Sequence, residues 1–529
     1  MDFDLLFQNA TVYDGTGAPG FVADVAVRGD RIAAVGKLES AAAARTIDAR
    51  GLALAPGFID LHGHSDYFLL VLPSAESKIK QGVTTEVGGN CGYSAAPVAG
   101  DLFEDRRASH RELYGLDADW HEFGEYLARL AAARPAINFV PLVGFNTVRA
   151  AAGWYRSEPP PAETLARMRA MVRASLEAGA VGMSLGLIYA PGCFAGIEEL
   201  SACAREVHDA DGFVASHIRS EGEKLIEAIE ESLEIARRAE VPFQVSHLKT
   251  SGLANWGKLD RVFELIERAR EQGLAIRADR YPYIASFTNL SSTLPEWVFD
   301  GGKEPFFARL ADPAARERMR DELDRADPMR DRFDRIVIAQ VFKPELARFE
   351  NRSVAEAARG EDRDPLDFLC WLTIASHDRA AAIYHTMSLD NLERIYKKEW
   401  VAVGSDSAVR APVGVLAEGY PHPRTFGTFP RVLAFMVREK KWLDLPTAVR
   451  KMTLLPAECA GLKQRGKIEP GWYADLCLFD PERVSDTATY ERPMSDPVGI
   501  ELVVVNGKVA VDRGELTGER AGRVLRRGT

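Results

Sequence analysis

The sequence of 529 residues lacks several features, and each absence argues against a class of protein. No apolar run approaches the roughly 18 residues that a membrane-spanning helix needs. Positive charge is not in excess, because 66 lysines and arginines stand against 77 acidic residues, for a net charge of −11. There is also no basic stripe with interleaved aromatic residues. The sequence therefore argues against a nucleic-acid-binding protein and against a membrane protein.

Cysteine is scarce and follows no pattern. The six cysteines, at positions 91, 193, 203, 370, 459 and 477, show no Cys-x-x-Cys spacing, which is typical of reduced thiols and not of a disulfide framework. The start, Met1-Asp2-Phe3-Asp4, is acidic, unlike the positively charged beginning of a signal peptide. With 46% hydrophobic and 27% charged residues, the composition is ordinary for a globular enzyme. We expect a cytoplasmic protein.

Both ends of the chain show β patterning. Residues 1–54 contain period-2 segments separated by turn residues, such as the Gly29-Asp30 step between two apolar runs. After residue 455 the β pattern returns, and Val505-Asn506-Gly507-Lys508-Val509 is typical of a type I′ hairpin. We expect 1–54 and 456–529 to pair into one small β-sandwich domain.

Between residues 55 and 455, short apolar strands alternate with amphipathic helices. The candidate strands are 57–61, 83–87, 137–143, 181–186, 212–216, 241–246, 274–279 and 401–405, and clear helices are 162–178, 221–239 and 258–272. Such alternation predicts an α/β fold with a parallel sheet, and about eight strands favour a closed, TIM-like (β/α)8 barrel. The alternation lapses at about 295–355, where a charged helical run (313–332) and one apolar strand (336–339) predict an insertion late in the barrel.

A metal site is predicted where the first barrel strand ends. The stretch Pro56–Asp66 reads PGFIDLHGHSD, so His62 and His64 follow a short buried strand. Side chains two residues apart on a strand point to the same side. Two converging imidazoles are a natural beginning for a divalent metal site.

Further candidate ligands follow later strands. Cys91 lies in a glycine-rich corner, Gly88-Gly89-Asn90-Cys91-Gly92, where a thiolate can approach a metal closely. His217, His247 and Asp406 each follow four or five apolar or small residues. In a barrel, the carboxyl ends of the strands converge on one mouth, where catalysis occurs. The sequence therefore predicts one metal site at that mouth. The remaining histidines lack this placement.

Together these residues resemble the amidohydrolase superfamily and, more narrowly, the N-acyl-D-amino-acid deacylases (D-aminoacylases). The matching stretches are PGFIDLHGHSD (56–66), TTEVGGNCGYS (84–94), SLGLIYAPG (184–192), SHIRSE (216–221), SHLK (246–249), RYPY (280–283), GSD (404–406), HPR (422–424) and LPAECAGLKQRGKIEPGWYADLCLFDP (455–481). The HxH pair alone marks only the superfamily. The cysteine in GGNCG, where other branches carry a carboxylated lysine or a glutamate, is what points to the deacylases.

The resemblance implies zinc-dependent hydrolysis of the amide bond of N-acyl-D-amino acids, giving a D-amino acid and a carboxylate. Cys91, His217 and His247 would bind the tight zinc, and His62 and His64 would form a second, weaker site that could share Cys91. Asp406 would be the catalytic acid/base, and Tyr189 would help polarise the amide carbonyl. Lys249, Tyr281 and Arg424 would hold the carboxylate of the substrate.

These roles agree with general chemistry. Zinc lowers the pKa of a bound water from about 15.7 towards 7, and a nearby carboxylate such as Asp406 can take that proton and return it to the departing amine. A phenol such as Tyr189 can stabilise the developing oxyanion. The cationic Lys249 and the fork-shaped Arg424 suit a carboxylate.

Two stretches depart from the family pattern. Phe145 stands where family members often have histidine, so a substrate contact there is in doubt. The segment from Asp406 to His422, with Val409-Arg410-Ala411-Pro412, looks longer than usual and could reshape the rim of the pocket. No arginine lies near 294–297 to meet an acidic side chain, which favours neutral or apolar D-residues.

Two alternatives stay open. A cyclic-amide hydrolase of the hydantoinase or dihydroorotase kind usually bridges two metals with a carboxylated lysine from the fourth strand, and 182–186 offers no lysine. A catalytically silent scaffold would have lost ligands or Asp406, and all are present. The sequence leaves open the number of bound metals and the oligomeric state, with a homo-oligomer among the possibilities.

Overall fold

The computed structural model describes residues 2–38, 41–326 and 331–526. The predicted β segments 1–54 and 456–529 and the predicted helical run 313–332 thus each include a few positions that lie outside the described residues. Within the described part of the chain, none of the helices combines the length and apolarity that crossing a bilayer would take.

Eight parallel strands form the barrel, as predicted. Their bounds are Phe58–Asp60, Val83–Gly88, Asn138–Gly144, Gly182–Gly186, Phe213–His217, Phe243–Val245, Ile276–Arg280 and Val401–Val403, and neighbours in this order pair with each other. The first and last strands meet just beyond their ends, where Gly63 and Ser407 form a parallel bridge and the Asp406 N–H donates to the His62 carbonyl over 2.7 Å. The closure therefore brings the HxH pair next to Asp406.

Helices cover the outside of the barrel. They are Gly100–Tyr114, Phe123–Ala133, Phe145–Ala151, Ala162–Ala178, Ile197–Asp209, Leu225–Ala239, Leu259–Glu271, Leu389–Tyr396, Arg424–Arg431 and Leu445–Met452, with short helices at Phe68–Val71, Glu76–Ile79 and Leu454–Cys459 and a π-helical turn at Val432–Glu439. The helix Leu225–Ala239 shows why such segments pack on the barrel. Its buried residues recur every three or four positions and form one apolar stripe, made of Leu225, Ile229, Leu233 and Ala236. This helix begins four residues later than predicted, which leaves Glu221 in the loop above the barrel.

The small β domain is one continuous sheet of nine strands from both ends of the chain. Its strands are Phe3–Val12, Phe21–Arg28, Arg31–Gly36, Ala43–Asp48, Ala53–Pro56, Leu476–Phe479, Ile500–Val505, Lys508–Asp512 and Glu515–Leu516. Antiparallel pairing of Leu476–Phe479 with Ala53–Pro56 joins the two ends. At the predicted hairpin, Asn506 and Gly507 have φ of 46° and 77°, the two positive values that a type I′ turn requires.

The insertion between the last two barrel strands carries its own sheet and core. The strands are Ser286–Asn289, Ile336–Gln340, Arg352–Ser353 and Ala381–Tyr384, and the helices are Lys303–Ala311, Pro313–Ala326, Val354–Gly360 and Pro365–Ala375. Leu290, Ile338 and Leu369 are among the buried residues of a separate apolar core. The unit therefore extends beyond the predicted 295–355. The prediction was too short because the outer strands pair across about 95 residues, and such a pairing leaves no local signal in the sequence. The predicted boundaries at 54/55 and 455/456 stay a prediction.

Candidate metal centre and active site

All the predicted ligands lie at or just beyond the carboxyl ends of barrel strands. His217 is the last residue of Phe213–His217, and His247 follows Phe243–Val245 by two residues. Cys91 and Asp406 each come three residues after a strand ends. The strands thus deliver these side chains to one mouth, and the structure brings together every ligand that the sequence nominated.

The first donor group consists of Cys91, His217 and His247, which we call the buried trio. Its ligand atoms lie within 4.8 Å of one another. The Cys91 sulfur is 3.5 Å from Nε2 of His247, and the two imidazole rings pack with centroids 4.4 Å apart. All three residues are buried.

The second donor group consists of His62, His64, Cys91 and Asp406, which we call the rim group. The Cys91 sulfur lies 3.3 Å from Nε2 of His62, so this thiol belongs to both groups. Asp406 Oδ1 lies 3.1 Å from Nε2 of His64 and 3.6 Å from Nε2 of His62. In this group a carboxylate already pairs with two of the histidines.

The trio fits a metal ion on its own chemistry. Both ring nitrogens of His217 are buried and have no hydrogen-bond partner among the described residues, which is costly unless a ligand satisfies one of them. Burial would raise the pKa of the Cys91 thiol, but the imidazoles of His62 and His247 more than offset it and hold that pKa well below its usual value. A thiolate with two imidazoles is a zinc-type donor set.

Three site residues have left-handed backbones. The φ angles of Cys91, His247 and Asp406 are 52°, 36° and 53°, values that cost a residue other than glycine about 1–3 kcal/mol each. A glycine at the end of the fourth strand allows the Cys91 corner to pack closely against it. A β-carbon on Gly186 would collide with the Cys91 carbonyl oxygen. The Cys91 corner is thus pressed against the end of the fourth strand.

Asp279 supports both groups from the end of the seventh strand. Its carboxylate lies 3.3 Å from Nδ1 of His62 and accepts the backbone N–H of His247 over 3.0 Å. Gln244 donates to the same carboxylate over 2.6 Å. A carboxylate behind an imidazole fixes the orientation of the ring and leaves Nε2 for a metal.

A buried ion cluster lies beneath the rim group. Nζ of Lys78 donates to Asp60 Oδ2 over 2.6 Å, to Ser405 Oγ over 2.7 Å and to the Ser407 carbonyl over 2.8 Å. Asp60 also accepts the His62 N–H over 3.2 Å and the Ser405 N–H over 2.8 Å. Lys78 therefore ties the HxH strand to both neighbours of Asp406, and this explains how a left-handed Asp406 is held.

Asp406 lies between the rim histidines and an arginine. Its Oδ2 pairs with Nη1 of Arg424 over 2.9 Å. Burial opposes ionisation of Asp406, but Arg424, then His247 and His64, hold its pKa well below the usual range. The carboxylate is therefore ionised and able to accept a proton.

The other predicted site residues are differently placed. The Tyr189 hydroxyl is 2.9 Å from Thr288 Oγ1, and its ring lies 4.9 Å from that of His217. Lys249 is buried and bonded to the Glu221 carboxylate, with His247 Nδ1 2.7 Å away.

Tyr281 is fully buried beneath Arg424, and the guanidinium carbon of Arg424 lies 4.6 Å from the centre of the Tyr281 ring. It does not line either cavity described below. The substrate contact of Tyr281 stays a prediction, and in the structure its ring lies behind Arg424. Phe145 is buried in the apolar core.

Two cavities meet over the donor groups. The first, of about 260 Å³, contains His217 and Lys249 and extends to Thr293, Ile336 and Tyr384. The second, of about 300 Å³, contains His64, Cys91 and Arg424 and extends to Tyr93 and Arg410. Tyr189, Phe287, Thr288 and Asp406 line both. A substrate cleaved beside Asp406 can thus extend one arm into each cavity.

Sequence reasoning missed several contributors. Glu221 is the last residue of the quoted SHIRSE stretch, and Asp279 is the last residue of the candidate strand 274–279, so their positions were the available signal. Thr288 and Lys78 had no such signal, because their contacts join segments far apart in the chain.

A (β/α)8 barrel whose mouth gathers a thiolate, four histidines and an aspartate defines a metal-dependent hydrolase. Comparison with known proteins narrows this class. The family model described as amidohydrolase family matches residues 45–292 and 311–511. The chain belongs to the amidohydrolase family and, within it, to the N-acyl-D-amino-acid deacylases.

Two curated relatives from Alcaligenes xylosoxydans xylosoxydans support this placement. A D-aminoacylase is 36% identical over 99% of this chain and 98% of its own length. An N-acyl-D-glutamate deacylase is 37% identical over 99% of this chain and 96% of its own length.

Solved structures agree. A D-aminoacylase described as having a binuclear metal centre, activated by one metal and attenuated by a second, has a TM-score of 0.83 at 36% identity, covering 99% of this chain and all of its own. An N-acyl-D-glutamate deacylase from Bordetella bronchiseptica, in complex with zinc and a phosphonate that mimics the tetrahedral intermediate, has a TM-score of 0.84 at 35% identity with the same coverage. A D-hydantoinase shares only the fold, with a TM-score of 0.56 at 17% identity.

Proposed function

We propose that this protein hydrolyses the amide bond of N-acyl-D-amino acids to a D-amino acid and a carboxylate, with zinc as the metal. The observation that carries the proposal is the position of Asp406, which belongs to the rim group and lines both cavities. The scissile amide, with an arm in each cavity, would lie beside this carboxylate. The relatives that act on N-acyl-D-amino acids support the substrate class.

The buried trio is our choice for the tight zinc, and the rim group for a weaker second ion. When bound, zinc supplies a water of lowered pKa as the nucleophile and polarises the amide carbonyl. Cys91 and His217 suit the tight site because they are buried, and the His217 ring nitrogens have no hydrogen-bond partner among the described residues. The rim group would bind less tightly because Asp406 already pairs with His64 and with Arg424.

The proton transfers fall to Asp406. Its carboxylate takes a proton from the attacking water, and it returns that proton to the amine nitrogen as the carbon–nitrogen bond breaks. The ion pair with Arg424 keeps the carboxylate ionised before the reaction. Lys78, through Ser405 and Ser407, holds it in place.

Tyr189 and the two cations would orient the substrate. The Tyr189 hydroxyl, held by Thr288, would donate to the carbonyl oxygen as negative charge develops there. Lys249 and Arg424 pair with Glu221 and Asp406 in the protein. Both cations would also contact the carboxylate of the substrate, which Arg424 can bind bidentately. Tyr281 would act from behind, by stacking under Arg424.

A cyclic-amide hydrolase with a carboxylated lysine is disfavoured by the fourth strand. That strand ends at Gly186, where even a β-carbon would collide with the Cys91 backbone. A lysine that reaches the metals from this position has no room. The space is taken by the cysteine corner instead.

The test is hydrolysis of matched N-acetyl-D- and N-acetyl-L-leucine by the purified protein, with zinc content measured on the same sample. We expect strong D-preference with bound zinc. Asp406→Asn should lose activity about 10²- to 10⁴-fold while retaining zinc. Asp209→Asn, at an exposed helical position, is the matched control and should be fully active. Zinc-loaded protein that cleaves neither series, or an active Asp406→Asn variant, would overturn the proposal.

A further inference from the structure

The second cavity contains an arginine that the proposed function does not use. Arg410 lies in the long segment between Asp406 and His422, and it lines the same cavity as Asp406 and Arg424. Its side chain is half-buried. It is therefore a partly desolvated cation in the wall of the proposed active site.

The hydrogen-bond partners of Arg410 are neutral. Nη2 donates to Oε1 of Gln340 over 2.8 Å, and Nη1 donates to the backbone carbonyl of Glu418 over 3.3 Å. Within the described ranges 2–38, 41–326 and 331–526, Arg410 forms no ion pair with a carboxylate. Lys249 and Arg424, the cations beside the donor groups, differ in this respect, since Lys249 pairs with Glu221 and Arg424 pairs with Asp406.

The Arg410 segment is held in place from two sides. The backbone N–H of Arg410 donates to Ser77 Oγ over 2.9 Å, and the backbone N–H of Ser77 donates to the Arg410 carbonyl over 3.3 Å. Gln340 is buried and comes from a strand of the insertion, and the Tyr420 N–H fastens the same segment to that strand over 2.7 Å. The cation is thus fixed before any ligand arrives, which lowers the entropic cost of binding one.

Charge and burial together indicate what this position would recognise. Partly buried charges in proteins are normally paired, and a fixed guanidinium matches a carboxylate with two parallel hydrogen bonds. In agreement, burial lowers the pKa of Arg410 from its usual value.

We propose that Arg410 is a specificity-determining residue that selects substrates with a second carboxylate on the arm that enters this cavity. This inference rests on the proposed function and deepens it. The second carboxylate could belong to an acidic amino-acid side chain or to a dicarboxylic acyl group. The lack of an arginine near 294–297 favoured neutral or apolar D-residues. The proposal instead predicts a preference for a charged substrate, because Arg410 supplies the cation from a different segment of the chain.

Two substrate pairs test the proposal and separate the two sources. N-acetyl-D-glutamate is compared with N-acetyl-D-glutamine, and N-succinyl-D-leucine with N-succinamoyl-D-leucine, which differ only in the charge of the terminal group. We expect kcat/KM to favour the charged member about 10- to 100-fold in one pair, and that pair identifies the arm. A lack of preference in both pairs would overturn the proposal.

Two variants separate recognition from a structural role. Arg410→Gln removes the charge but keeps a donor for Gln340, and it should abolish the preference for the charged member. Arg410→Lys keeps the charge and should retain most of the preference. A purely structural arginine predicts instead that Arg410→Gln lowers both members of each pair equally, and that result would contradict the proposal.

A binding measurement keeps this inference separate from the proposed function. Succinate and succinamate are titrated calorimetrically into the metal-loaded protein and into Arg410→Gln. Preferential binding of succinate that is lost in Arg410→Gln supports the role of Arg410 even if no N-acyl-D-amino acid is hydrolysed, and equal binding of the two overturns it. Hydrolysis of the neutral substrates without charge preference would overturn only the role of Arg410.

Discussion

The two donor groups at the mouth share the Cys91 thiol but differ in everything else around it. In the buried trio, His217 and His247 come from the fifth and sixth strands, and the ring nitrogens of His217 have no hydrogen-bond partner in the described structure. The rim group lies where the barrel closes, its His64 side chain is 30% exposed, and Asp406 pairs with it. Donors without partners gain most from an ion, whereas donors that already pair must give up those contacts. Under the proposed function, one cysteine therefore serves two metal sites of unequal strength.

The largest effect should come from removing the shared ligand. Cys91→Ala takes one donor from each group, so we expect loss of both ions and a fall in activity of more than about 10⁴-fold. Metal content after dialysis and hydrolysis assays on the same sample would measure this. Cys203→Ala, at a buried cysteine of an outer helix, controls for loss of a thiol. Retention of a full zinc equivalent in Cys91→Ala would contradict the shared-ligand comparison.

The next effect concerns the support beneath the rim group. Lys78→Met leaves Asp60 buried without its cation, and we expect a loss of about 3–5 kcal/mol in unfolding free energy. Because the neighbours of Asp406 are released, kcat should also fall about 10- to 100-fold, with zinc in the trio retained. Denaturant unfolding and steady-state kinetics measure the two effects.

The double variant Lys78→Met/Asp60→Asn is the informative companion to that prediction. It removes the charges of Lys78 and Asp60 but leaves the buried Glu86, which also pairs with Lys78 over 3.4 Å. Stability should therefore recover only in part, while kcat stays low because the ties to Ser405 and Ser407 remain broken. If kcat recovers together with stability, Lys78 is only a stabilising residue and the positioning of Asp406 does not depend on it.

A smaller effect is expected from the rim group alone. His64→Asn removes one donor from the weaker site and none from the trio, so affinity for a second ion should fall about 10- to 100-fold or more. The first zinc should remain, and activity should stay within about tenfold. Metal titration followed by activity would show this. Equal loss of both ions would mean that the two groups form one inseparable site.

The smallest effect concerns the contact between the insertion and the barrel. Thr288→Val removes the hydroxyl that holds Tyr189 and keeps the shape of the side chain, so kcat should fall about 2- to 10-fold with KM nearly unchanged. Thr288→Ser keeps the hydroxyl and is the matched control. A fall of the same size in both variants would show that packing, and not the hydrogen bond, matters at this position.

The ligands and the barrel could be predicted because their signals are local. Each barrel strand is a short apolar run of its own, and the strand ends at His62, His217, His247 and Asp406 are visible in the chain. Parallel strands with helical connections leave few alternative arrangements. The prediction that these residues converge therefore followed from strand order alone.

The insertion and the substrate contacts could not be predicted in the same way. Strand Ser286–Asn289 pairs with Ala381–Tyr384 across a segment that looks like a separate helical unit, so its extent was underestimated. The sequence did not show that Lys249 and Arg424 already form ion pairs, with Glu221 and with Asp406 respectively. The stacking of Tyr281 under Arg424 was likewise not visible in the sequence. In each case the deciding partner is distant in sequence.

The sequence by itself determined the barrel, the two-ended β domain, the metal-ligand types and the family, because periodicity and residue chemistry at strand ends are properties of short segments. The tertiary structure alone decided that Cys91 belongs to two donor groups, that Lys78 joins the first strand to the last, and that Arg410 faces the second cavity. These features depend on which side chains approach within a few ångströms after the barrel closes. Closure is a property of the whole chain, and no single stretch encodes it.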